Sequence, residues 1–82
     1  MPITIQALLF ARYAELLGTD SLTLTLPEGI KAGEAVSHVR SQHTGNALPS
    51  TVLLAINGRQ ATPERPLHDG DELAILPPLA GG

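Results

Sequence analysis

The chain is predicted to fold as an α+β domain, a mixed sheet of about five strands with one main helix packed across it. Apolar residues alternate with polar ones at the start of residues 3–10 and throughout 21–26, the period of a half-buried strand. Between residues 32 and 43 they recur instead at three- and four-residue intervals, the period of an amphipathic helix. An Asn57-Gly58 pair directly after the apolar run 52–56 marks a tight hairpin.

In the first strand Ile3, Ile5, Ala7 and Leu9 share one face, and Thr4 and Gln6 the other. Leu8 and Phe10 then fall on the polar side, so that face turns apolar toward the end of the strand. Ala11 to Leu17 is rich in helix formers and Gly18 stands at a C-cap position, which predicts about one or two helical turns. Leu22, Leu24 and Leu26 alternate with Ser21, Thr23 and Thr25 until Pro27 and Gly29 end the second strand. Ala32, Ala35, Val36 and Val39 form the apolar face of the main helix, with Lys31, Glu34, Arg40 and Gln42 toward water. Its start is weakly marked, since Gly33 sits in the first turn and no Ser, Thr, Asp or Asn caps it; Gly45-Asn46 closes it. The unbroken run Val52 to Ile56 reads as a strand buried on both faces. Asn57-Gly58 supplies the two positive-φ positions of a type I′ turn into a short return strand near residues 59–62. Pro63 and Pro66 force an irregular link, Asp69-Gly70 makes a second turn, and Glu72 to Leu76 is the last strand.

The 82 residues carry a formal charge of −3 and make one small domain, with Phe10 and Tyr13 its only aromatics, so the core is aliphatic. Cysteine is absent, which excludes a disulfide framework, a thiolate metal site and a cysteine nucleophile. The five Lys and Arg, at positions 12, 31, 40, 59 and 65, form no basic stripe, so nucleic acid is not an expected partner. No apolar run approaches the ~18–20 residues of a membrane span, and MPITIQALLF lacks the basic start of a signal peptide. The expected location is the cytoplasm. His38, His43 and His68 share no metal-ligand spacing, and Asp69, Asp71 and Glu72 surround a turn, so all six are read as structural and no metal is expected.

The end of the chain carries the functional signal. Pro77 and Pro78 remove two backbone donors and stiffen the segment that leaves the last strand; Leu79 and Ala80 continue it; Gly81 and Gly82 then remove every side chain. Such a segment spans ~20 Å at ~3.3–3.6 Å per residue and enters a channel too narrow for a β-carbon. The expected division is a folded domain over 1–76 and a tail over 77–82.

The order of elements, the LFARYAELLGTD segment from Leu9 to Asp20, and PLHDGDELAILPPLAGG from Pro66 to Gly82 closely resemble the small subunits of molybdopterin synthase, over essentially the whole chain. That resemblance implies a β-grasp, ubiquitin-like fold and a sulfur carrier in molybdenum cofactor biosynthesis. It implies that an E1-like adenylyltransferase activates Gly82 with ATP, and that a sulfur-donor protein leaves a thiocarboxylate there, a 1-thioglycine. It also implies that the large synthase subunit then uses the sulfur to build the dithiolene from the cyclic pyranopterin precursor, in a heterotetramer of two small and two large subunits. The chain is then no enzyme by itself and holds no cofactor tightly; Pro77, Pro78, Leu79, Ala80 and Gly81 thread the tail.

In a β-grasp sheet the first and last strands are parallel neighbours. Leu8, Phe10 and Leu76 are then expected to form an outward apolar patch beside the root of the tail, where partners dock. Gln60 gives that face a polar element. The same Gly-Gly chemistry fits a sulfur carrier for thiamin or cysteine synthesis, or a ubiquitin-like module that tags or binds proteins.

Overall fold

The computed structural model describes residues 1–41 and 52–77. His43, the Gly45-Asn46 helix closure and Pro78 to Gly82 lie outside the described residues. Seven elements follow in order: β1 (Ile3–Leu9), α1 (Arg12–Leu17), β2 (Ser21–Leu26), α2 (Ala32–Val39), β3 (Leu53–Ile56), β4 (Arg59–Ala61) and β5 (Glu72–Leu76). The strands form one sheet in the order β2-β1-β5-β3-β4. β1 pairs parallel with β5, while β2 with β1, β3 with β5 and β4 with β3 are antiparallel. This is the expected mixed sheet, with the first and last strands side by side at its centre.

The alternation predicts the core. Ile3, Ile5, Ala7 and Leu9 of β1, Leu24 and Leu26 of β2, Leu54 of β3, and Leu73 and Ile75 of β5 are buried with Ala32, Ala35, Val36 and Val39 of α2. Leu22, at the start of β2, is partly buried against the same cluster. Gly18 ends α1 in the left-handed conformation at φ 75°, as its position requires. The two aromatics separate: Tyr13 of α1 is 2% exposed within the aliphatic core, and Phe10 stands 43% exposed outside it.

β3 departs from expectation. Leu54 is buried, but Leu53 and Ala55 are only partly so, because α2 covers one face of the sheet and no described element covers the other; Ile56, on the Leu54 side at the end of the strand, is partly buried against the core. The apolar run therefore marks a strand with one core face and one uncovered apolar face.

The weak start of α2 has a tertiary remedy. Its first free amides donate to the irregular link: Ala32 N to the Arg65 carbonyl and Gly33 N to the Pro63 carbonyl, each at 2.8 Å. The Glu34 carboxylate accepts from Lys31 N at 2.8 Å. A β-carbon on Gly33 would lie 2.9 Å from the Pro63 β-carbon, so the close approach of link to helix demands glycine there. Lys31 forms a β-bridge with Pro66, and Leu67, 2% exposed, completes the core from the link.

The two turns at the far end of the sheet hold each other. Asn57 at φ 52° and Gly58 at φ 83° make the predicted turn. Asn57 Nδ2 donates to Asp71 Oδ1, its Oδ1 accepts from Glu72 N, and Asp71 Oδ2 accepts from His68 N. Asp69 Oδ1 accepts from Thr4 N, which fastens the second turn to β1. The Asp69 and Asp71 carboxylates are thus occupied in holding the turns, as their structural reading expects.

Candidate docking face and the root of the tail

The uncovered face of the sheet is built by register. Leu8 is paired with Ala74, Ala74 with Ala55, and Ala55 with Gln60, so one row crosses four strands on the side away from α2. One step toward the end of β5, Leu53 is paired with Leu76. Leu9 pairs with Ile75, so Phe10 occupies the next position beside Leu76 in the parallel register. At the other end of the same face stand Thr4, Gln6, Thr23, Thr25 and Glu72. The face thus runs from polar to apolar along β1 and β5, and its apolar end is where Pro77 leaves the last strand.

Two shallow recesses shape that end. Leu53, Ala55, Gln60 and Leu76 border a groove of 300 Å³. Leu8, Phe10, Ala11, Ala14 and Asp20 border another of 520 Å³. Phe10 is held outward by an unusual turn: Ala11 adopts φ 53° and ψ −127°, a conformation that side chains rarely occupy. Such backbone strain costs of order 1–3 kcal/mol and persists where the surrounding structure enforces it. Here Tyr13 N donates to the Phe10 carbonyl at 3.0 Å, and Tyr13 is locked in the core three residues on.

Leu8, Phe10 and Leu76 lie together on this face, brought there by the parallel pairing of β1 with β5, with Leu8 and Leu76 half-buried. Gln60 is its polar element. Leu53 and Ala55 belong to it as well, in place of the second buried face expected of that strand; the all-apolar run shows that both its faces are apolar but not what covers the second. Pro77 is half-buried at the root of the tail, and Pro78, Leu79, Ala80, Gly81 and Gly82 are outside the described residues. His38 lies on α2 and His68 at the far turns, so the structure does not bring them to this face. Among the described residues no group of three or more His, Asp or Glu is placed to hold a metal ion, and no helix is long and apolar enough to cross a membrane.

A model of the ThiS family matches residues 7–82. A molybdopterin synthase sulfur carrier subunit of Arabidopsis thaliana is 36% identical over 98% of this chain and 84% of its own length. The corresponding subunit of Escherichia coli is 35% identical over 95% and 99% of the two chains. Among solved structures, a putative molybdopterin converting factor subunit 1 from Pyrococcus furiosus superposes with a TM-score of 0.83 at 26% identity, covering 94% of this chain and 99% of that one. A ubiquitin of Caldiarchaeum subterraneum, 19% identical, superposes over the whole of both chains with a TM-score of 0.68, which supports the ubiquitin-like fold alone.

Proposed function

The chain belongs to the ThiS family, as a sulfur carrier subunit of molybdopterin synthase in molybdenum cofactor biosynthesis, and from that premise we propose that the Gly82 carboxyl is the group that carries the sulfur. A C-terminal carboxyl has a pKa of ~3.3–3.7 and is ionised at neutral pH, which makes it a poor electrophile. An E1-like partner activates it: a carboxylate oxygen attacks the α-phosphorus of ATP and pyrophosphate leaves. Sulfide-level sulfur delivered by a donor protein attacks the acyl carbon, the acyl–oxygen bond to AMP breaks and AMP leaves, and loss of a proton gives the 1-thioglycine thiocarboxylate with no change of oxidation state.

The domain over 1–76 supplies the grip and residues 77–82 the reach. Pro77 and Pro78 stiffen the departure, Leu79 and Ala80 carry it forward, and Gly81 and Gly82 present a backbone without side chains to the partner's active site. The acids, bases and substrate-binding groups belong to the partners, so the chain is not an enzyme by itself. Each dithiolene takes two sulfur atoms and each carrier brings one, so two loaded carriers are consumed per product; the assembly of two small and two large subunits rests on the family likeness.

The observation that carries this reading is the convergence of Leu8, Phe10, Leu53 and Leu76 around the point where Pro77 leaves the sheet. A partner seated on an apolar face of this kind is aligned with the tail it must receive. The activating enzyme and the large synthase subunit use this face in turn.

Intact-mass measurement tests the chemistry. After incubation with the activating enzyme, ATP and a sulfur donor, one oxygen of the chain is replaced by sulfur, and fragmentation places the change at Gly82. Deleting Gly82, or adding one residue beyond it, abolishes transfer while the domain stays folded. Normal molybdopterin formation by either variant would refute the proposal.

A further inference from the structure

At the opposite end of β5 from the tail, a cleft of 270 Å³ opens beside β4 and the 62–68 link. Arg59, Arg65 and His68 line it, so two of the five cationic side chains of a chain with net charge −3 face one small space. Both arginines are exposed, and neither takes part in an ion pair or a side-chain hydrogen bond among the described residues. The carboxylate at the cleft is committed elsewhere. Asp71 is 14% exposed, and its two oxygens accept from Asn57 Nδ2 and His68 N.

The backbone beneath the cations is fixed. Arg59 lies on β4 opposite Ile56, and Arg65 is tied at both ends, its amide to the Thr62 carbonyl at 3.1 Å and its carbonyl to Ala32 N at 2.8 Å. Free cations on a fixed backbone are suited to anions. A compact phosphate would need converging backbone donors as well, and those nearby are used: His68 N serves Asp71, Asn57 N serves the Glu72 carbonyl, and Leu67 N serves the Ile30 carbonyl. Two separate guanidinium groups along a strand and its flanking link fit instead two carboxylates spaced along an extended chain.

Gln60 borders both this cleft and the groove formed by Leu53 and Leu76, so the two surfaces meet around β4, the edge strand of the sheet. We propose that the Arg59–Arg65 cleft receives an extended acidic peptide segment of a protein partner, laid around the edge of the sheet from the apolar face. Assigning the segment to the partner seated on that face rests on the docking reading above; the cation cleft itself does not. Elsewhere the acidic chain repels such a segment, so the cleft contributes to the orientation of the complex as well as to its affinity.

Amide chemical-shift mapping of the full chain tests the inference with hexaglutamate as the probe, and with hexaglutamine and inorganic phosphate as comparisons. At low ionic strength hexaglutamate is expected to shift the amides around Arg59, Gln60, Arg65 and His68, and hexaglutamine to leave them in place. Binding weakens at about 0.15 M salt, where exposed charges are screened beyond ~8 Å. The double variant Arg59→Gln/Arg65→Gln, both exposed positions, keeps the remaining spectrum and binds roughly fivefold to tenfold more weakly. Shifts scattered over the surface, unchanged affinity in the double variant, or saturation of the same amides by phosphate at equal concentration would overturn the proposal. Sulfur loading of Gly82, read separately by mass, is unaffected by any of these results.

Discussion

Leu53 of β3 and Leu76 of β5 are paired across the sheet on the face that α2 leaves uncovered, one residue short of Pro77. On the proposed docking reading, a charge placed in this pair would meet the partner instead of the protein's own core. Leu53→Asp is expected to weaken binding of the large synthase subunit by at least about tenfold, the effect of losing a central interface anchor. Thr25→Asp, on the polar end of the same face, is expected to change it by less than about twofold. Titration calorimetry with the purified large subunit compares the two.

The contact between Gly33 and Pro63 predicts a stability effect far from that face. In Gly33→Ala the added methyl collides with the Pro63 β-carbon and crowds its carbonyl at 3.3 Å, so helix and link must part. The loss is expected to be ~1–3 kcal/mol, the cost of overpacking, although alanine is the better helix former. Urea unfolding followed by circular dichroism measures it.

Asn57 does two things at once: it adopts φ 52° and bridges Asp71 to the Glu72 amide. Asn57→Ala removes both side-chain hydrogen bonds and places a less tolerant residue in the left-handed region, and should cost ~2–3 kcal/mol. Asn57→Gly keeps the conformation and loses the bonds alone, so it should cost ~1 kcal/mol less. The difference between the two denaturation midpoints separates backbone from side chain.

Ala11 predicts a gain. Ala11→Gly relieves the positive φ at the β1–α1 junction and should raise Tm by a few degrees, about 1 kcal/mol for a domain of this size. If the strained turn also holds Phe10 ready for docking, the same variant binds the large subunit more weakly despite its greater stability. Differential scanning calorimetry and the binding titration together report both effects.

Local sequence rules reached much of this architecture because β1, β2 and α2 each bury one face, and a single buried face prints a clean period. They also single out Leu8 and Phe10, since a break in alternation is itself periodic information, whereas Leu76 joins them only through the parallel pairing of β1 with β5. β3 was harder: a run apolar on both sides looks the same whether its second face meets a helix or a partner. The start of α2 was harder still, because its caps are carbonyls of Arg65 and Pro63, some thirty residues away. Leu67 follows Pro66 in the irregular link, with no period to identify it as core. Arg59 and Arg65 looked scattered along the chain and share a cleft only once β4 and the link are folded.

The parallel pairing of β1 with β5 also bears on how the molecule comes into being. β5 lies between β1 and β3, so until residues 72–76 are in place the two halves of the sheet have no strand to join them. A chain still emerging from the ribosome can form the β1–β2 hairpin and the β3–β4 hairpin, but not the surface they share. The strand that completes the surface is also the one that leads to Gly82. A chain that has not yet released residues 72–76 therefore lacks the joined face on which a partner would be seated.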